Sequence, residues 1–387
     1  MIPILLAGLG LVVDSGLAFD LKRRLQKAAD AGAVAAAQEL RRGNYDRFED
    51  AALHDAELNG FGAAKAEISV LNPPVHGARA GDAGFVEVRV RSQADLFFMR
   101  AFRDSTPDVE AFAIAGAIAD SACLFTLDAS GPRALWATGT ANVDFGKCGI
   151  HVNSDSTSAA RTDGGAIIKA STIDVVGGYS GAGFLPDPVS GSVAEDPWAD
   201  VVEPHAGSCT FSTTVKVTSD TTLSPGVYCG GISVTGNAVA TLEPGNYYIN
   251  GGGLKVAGGA SLIGDGVSFY LSKCKKTKYE GVEFSGNSSI QLSANTTGPM
   301  AGILFFQNRT ITNGADSTIA GTSDSTFTGG LYFATTTVKF LGNGTSNLFK
   351  LLAVVNRAEF HGTIDIAAPE PNDGLLTPNI LRAALVQ

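Results

Sequence analysis

Apolar and polar residues alternate in short, copied phrases through the middle of this chain. ISVTGNA at 232–238 recurs as LKVAGGA at 254–260 and as VEFSGNS at 282–288. Looser copies follow as ITNG at 311–314 and VKFLGN at 338–343, and the first positions lie 22, 28, 29 and 27 residues apart. Periods of this length mark repeat architectures. Two-residue alternation predicts strands with one buried face, and each phrase ends on a glycine-containing corner, where a positive φ costs least. Further β-rich runs lie between the phrases at 247–249, 267–271, 303–306, 331–333 and 351–355. Two or three strands per repeat predict a mainly β fold: a right-handed parallel β-helix, or solenoid, whose coils bury each other's inward side chains. An antiparallel sandwich is the competing architecture, and the copied phrase favours the solenoid. ALWATGTA at 134–141 reads as an earlier coil, so the solenoid is expected over 119–387. Residues 184–204 interrupt it with Pro186, Pro188, Pro197 and Pro204 among Asp187, Glu195, Asp196 and Asp200. Such an acidic, proline-rich loop is expected to stay out of the ladder as a functional or flexible excursion. The stretch 369–379 also reads as irregular, and 381–386 as a last strand.

The first third has a different rhythm. An apolar run, IPILLAGLGLVV at 2–13, stops at Asp14 and passes into an Ala-rich helical pattern ending near 42. Twelve residues fall short of the ~20 that span a bilayer. The basic cluster Lys22, Arg23 and Arg24 follows the run instead of preceding it, unlike a cleavable signal. A start completed by residues upstream is the preferred reading, and docking on a partner the other. The alanines would let another helix approach closely, as membrane and filament helices need, or would pack on the helix's own domain. A second helix is expected near 45–58 and strands at 66–71, 84–91 and 109–118, with the apolar run LFFMRAF at 96–102. A long helix followed by a small antiparallel sheet predicts a pilin-like α+β module, with the helix over 1–42 and the remainder over 43–118.

Composition narrows the chemistry. Charged residues are 17% of the chain and the net charge is −10, so nothing basic enough to neutralise a phosphate backbone is present and nucleic acid is not an expected partner. The cysteines are Cys123, Cys148, Cys209, Cys229 and Cys274, in no zinc spacing. Cys123 with Cys148, and Cys209 with Cys229, are about one coil apart, so a disulfide in each pair would tie neighbouring coils in an oxidising compartment. Five buried thiols are the alternative, and Cys274 is left over as a free or intermolecular thiol. Lys273, Lys275, Lys276 and Lys278 surround it, a candidate contact for anionic lipid or lipopolysaccharide and a setting that lowers a thiol's pKa, or simply a solvated hairpin tip.

No catalytic residue, cofactor or metal is expected. Asp144, Asp174, Asp265, Glu283 and Asp316 sit on different phrases and do not pair as glycosidase carboxylates must; Glu283 reads as an outward, solvated residue. Tyr179, Trp198 and Tyr270 could line a glycan-binding groove. His151 and His361 read as core or rim residues, and Asn287, Asn295, Asn308 and Asn343 as turn or ladder asparagines.

Several separate phrases resemble one family. Residues 4–44, ILLAGLGLVVDSGLAFDLKRRLQKAADAGAVAAAQELRRGN, and VEVRVRSQADLFFMRAF at 86–102 look like the TadE/TadG-type proteins of the tight adherence (Tad/Flp) pilus system. CLFTLD at 123–128, CGIHVN at 148–153 and PGVYCGG at 225–231 resemble the β-rich region of one branch. The resemblance implies a bacterial envelope protein anchored in the inner membrane by its N-terminal helix, with its bulk in the periplasm or on the cell surface. Its implied partners are pilin-like and secretion-platform proteins, and surface glycan is a further one. Neither DASG at 128–131 nor DSTSA at 155–159 matches the Asp-x-Ser-x-Ser metal loop of many relatives, so no von Willebrand-type domain is expected.

Overall fold

A computed structural model describes residues 2–41, 44–98, 106–274, 277–321, 325–342, 348–367 and 379–386. The chain forms two compact units, 1–120 with 381–387, and 121–380.

In the first unit, helix α1 (Ile2–Arg41) and helix α2 (Phe48–Leu58) cover an antiparallel meander of β1 (Glu67–Leu71), β2 (Phe85–Gln93) and the start of β3 (Asp108–Thr126). The alternation in β2 decides which face is covered: Val86, Val88 and Val90 are buried in one cluster with Leu25, Ala28, Ala29, Ala33, Ala36 and Ala37 of α1 and Ala52 and Ala56 of α2. Gly32 shows why α1 is so smooth, since a Cβ there would sit 2.9 Å from the carbonyl oxygen of Ala52. The alanine stripe therefore serves close packing within this unit, where dispersion gains depend on near contact. Strand β3 is longer than the 109–118 expected and runs on into the second unit.

The second unit is built from parallel strands, each pairing with the strand one repeat away. Val215–Val217 pairs with Ile232–Val234, which pairs with Gly252–Val256, which pairs with Tyr279–Phe284. Two further ladders run alongside, through Val239–Leu242 and Ser261–Gly264, and through Gly245–Asn250 and Val267–Ser272. Each repeat thus forms a three-strand tier. An inward column of aromatic rings links the tiers: Phe211, Tyr228, Tyr247, Phe269, Phe305 and Phe333 have successive centroids 4.5–6.2 Å apart, within the range of favourable offset or tilted pairs. The Tyr228 hydroxyl donates to the carbonyl of Ser224, and burial, with the Glu243 charge second, pushes its phenol up to about 12.

Tier order is not chain order. Leu348–Ala367, the last strand of this unit, pairs in parallel with β3 at 124–126 and with Leu135–Asp144. The three tiers over 122–190 therefore stack beyond the last tier, and the six tiers that begin at Val215 lie on its other side. Arg357 and Asp128 form an ion pair across this seam, and Asp128 also accepts from the N–H groups of Ser130 and Gly131.

Two expectations need correction. ITNG at 311–314 is not the fourth copy of the phrase. Glu283 pairs with Thr318, so Ser317–Gly321 takes that place and Ile311 belongs to the preceding loop. Ladder register, set by inward burial, overrides the linear likeness. The excursion at 184–204 does enter the ladder: Phe184–Leu185 and Val189–Ser190 pair with Ile168–Lys169 and Asp174–Val175. Both strands avoid placing a proline where a ladder donor is needed.

Candidate functional site

Outward positions of the tiers form rows. One row runs Lys216, Ser233, Lys255, Glu283, Thr318, Lys339, Glu359, Trp136, Arg161 and Ser180 through successive register partners. Ser233, Lys255, Glu283, Lys339, Glu359 and Trp136 each lie between two buried apolar neighbours, so over these tiers the polar–apolar alternation of the copied phrase becomes one largely polar face. Lys255 and Glu283 pair at 2.6 Å, Lys339 and Asp316 at 3.0 Å. Their side chains are about half exposed, so each pair contributes well under about 1 kcal/mol. Thr214, Lys216, Ser233, Lys255, Glu280 and Glu283 line a shallow groove of about 190 Å³ on this face.

A second row is aromatic: Val227, Tyr248, Tyr270, Phe306, Tyr332, Val354, Phe125, His151, Asp174 and Val189. Here the proline-rich segment 191–208 lies as a strap. Having left the last of the stacked tiers, the chain must return to the opposite end of the stack to begin the tier at Val215, and the strap makes that return. Asn153 exchanges two hydrogen bonds with the backbone of Ala194. Further along, the Tyr332 hydroxyl donates to Asp196 at 2.5 Å, and the Tyr270 hydroxyl and the Asn308 amide donate to Glu203 at 2.7 and 2.6 Å. Arg309 donates to the carbonyls of Trp198 and Val201 and to the Tyr332 hydroxyl, with its guanidinium over the rings of Phe306 and Tyr332. Burial, reinforced by the neighbouring carboxylates, pushes the Tyr270 and Tyr332 phenols above the ordinary range. The strap ends at the Cys209–Cys229 disulfide.

The aromatic groove expected from Tyr179, Trp198 and Tyr270 is therefore not formed. Trp198 and Tyr270 are each 3% exposed beneath or within the strap, while Tyr179 is 43% exposed elsewhere, against Phe184. The row could have been found by aligning the phrases between the copies; the strap over it could not.

Cys123 and Cys148 form the second disulfide, between adjacent tiers. Cys274 is outside both and half-buried, with Lys273 and Lys278 exposed beside it; Lys275 and Lys276 lie outside the described residues. Asp144, Asp174, Asp265, Glu283 and Asp316 are not brought together: Asp144 accepts from Gly146 N–H and Asp265 from Ser293, while Glu283 and Asp316 face lysines. His151 is buried against Phe125, and His361 is edge-on to Trp136. Asn295 donates to Asn246, two tiers away, and Asn343 lies outside the described residues.

In the first unit the Glu87 carboxylate is buried beneath the 72–84 loop. It accepts from the N–H groups of Val75 and His76, from His76 Nδ1 at 2.9 Å and from Arg89 at 2.8 Å. Burial alone would raise its pKa, but the bonds from Arg89, Val75 and His76 hold it below the ordinary carboxylate value. A cavity of about 350 Å³ in the same unit is lined by Lys22, Gln26, Asp30, Phe112, Leu385 and Val386. Among the described residues no group of three metal-ligating side chains converges, and no helix is long and apolar enough to cross a membrane.

No curated protein and no solved structure matches this chain. Residues 1–39, nearly the whole of α1, match the Tad family model described as "Putative Flp pilus-assembly TadE/G-like".

Proposed function

We propose that this chain is a non-catalytic bacterial envelope component of a Tad-type adhesive pilus, acting in assembly, anchoring or adhesion. The match over 1–39 carries this reading. It falls on the helix whose C-terminal half packs on the small antiparallel sheet, the layout of a pilin-like module. In this reading the apolar start of α1 anchors the protein in the inner membrane, with pilin-like subunits and secretion-platform proteins as partners. The tiers of the second unit are read as coils of a right-handed parallel β-helix. Parallel pairing one repeat apart, three ladders side by side and the right-handed preference of parallel crossovers support it. The long polar row would be the presented surface. The polysaccharide-cleaving alternative gains no support, since its carboxylates face separate partners and its aromatic row is covered.

The test is a pull-down of the tagged full-length protein from bacterial membranes. Co-purification of pilin-like or secretion-platform proteins is the expected outcome. Recovery of the protein alone, in a soluble fraction that shortens an acidic polysaccharide, would replace this reading with the enzymatic one.

A further inference from the structure

Asp14 ends the apolar run in the sequence, yet in the fold it is not exposed to water. It is 2% exposed, and its two carboxylate oxygens accept from the N–H groups of Phe97 and Phe98 at 2.9 and 3.0 Å. Those bonds hold the 96–98 turn against the helix and leave both rings exposed, Phe97 at 76% and Phe98 at 50%. On α1 itself Val12, Val13, Leu17 and Phe19 are exposed too, Phe19 at 78%. Six apolar side chains thus form a collar where a single carboxylate has been withdrawn. On α1 the next charged residue is Asp20, and four cations, Lys22, Arg23, Arg24 and Lys27, follow before Asp30; off the helix, the exposed Asp95 lies two residues before Phe97.

We infer that this collar seats in an anionic lipid bilayer, with the Phe97–Phe98 turn entering the membrane interface beside α1 and Asp14 positioning it there. Two features select lipid over a second copy of the chain. Once Asp14 is satisfied by backbone donors, Ser15 is the one polar side chain left between residue 2 and Phe19, and eighteen helical residues at ~1.5 Å each reach about 27 Å, deep into a hydrocarbon core but short of its ~30 Å. The cationic band directly after the collar then falls at the depth of the headgroups, where each Lys or Arg favours an anionic surface. The inference rests on the reading of α1 as a membrane anchor and adds that a second, distant segment shares the membrane contact.

The test uses the full chain carrying Phe97→Trp, with Leu58→Trp at an exposed site of the same unit as control. Each variant is mixed with phosphatidylglycerol/phosphatidylcholine vesicles, plain or brominated in the acyl chains. Flotation is measured in parallel, and the wild-type spectrum is subtracted. The expected result is flotation with a blue shift and at least twofold quenching at position 97, and no quenching at position 58. In the Phe97→Trp background, Asp14→Ala is expected to at least halve the quenching at unchanged helicity, while Asp14→Asn, which keeps an acceptor, retains more of it. Flotation without quenching at position 97 overturns the collar but leaves the anchor standing. Failure to float overturns the anchor reading itself. A blue shift that grows with protein concentration without vesicles would assign the collar to a second copy of the chain, and quenching unchanged by Asp14→Ala would remove the role given to Asp14.

Discussion

At Glu87 one carboxylate organises a whole loop, because four donors from Val75, His76 and Arg89 converge on it in a buried site. Glu87→Gln is expected to cost about 2 kcal/mol at pH 7, the scale of hydrogen bonds to a buried charge. The folded pKa is depressed. The contribution of the charge is therefore complete above the unfolded value of about 4.3 and is lost as pH falls below it towards the folded one. Thermal melts should show the gap between wild type and Glu87→Gln closing under acid conditions, and a pH-independent gap would assign the loss to packing alone. In the sequence Glu87 is simply one position of the strand expected at 84–91. Its burial depends on the 72–84 loop folding over it.

Among the elements, the strap and the seam do most to define the second unit. Trp198 fills the space over Gly330, where a Cβ would meet its ring at 2.5 Å, and its removal should cost about 3–5 kcal/mol. Arg309→Ala cuts three bonds to the strap and to Tyr332. In either variant limited proteolysis should begin within 191–208 before the tiers are cleaved, whereas the wild-type strap resists; equal resistance in all three would show that the strap is held by other means. At the seam, Gly131→Ala would drive a Cβ into the Arg357–Asp128 pair. It should destabilise at least as much as Arg357→Ala, expected at about 1 kcal/mol for a charge-assisted bond that is partly exposed. Denaturant midpoints at unchanged m-value would measure both.

Across the molecule the two disulfides act where chain order and tier order part. Cys123–Cys148 joins two of the tiers that stack beyond the C-terminal ones, and Cys209–Cys229 fixes the end of the strap to the tier that starts the other group. Sequence separations of 25 and 20 predict about 3 kcal/mol from each through the entropy of the unfolded chain. Reduction, or Cys→Ser at either pair, should lower the unfolding midpoint accordingly, and the Cys209 variant should also open the strap to protease. An unchanged midpoint after complete reduction would contradict this.

Local pattern alone pointed to the helix, the meander, the repeated strands and both cysteine pairings, because two-residue and helical periodicities, glycine corners and spacings of about one repeat act over a few residues or one repeat. It misplaced one copy of the phrase, since ITNG satisfies the local alternation while the ladder register selects Ser317–Gly321. Only the tertiary structure decided that Leu348–Ala367 meets β3 and Leu135–Asp144, that the acidic excursion returns along the stack, and that Trp198, Tyr270 and Asp14 are withdrawn from water. Those outcomes join residues from tens to more than two hundred positions apart. Long-range pairing and burial select them, and no short stretch of sequence carries that information.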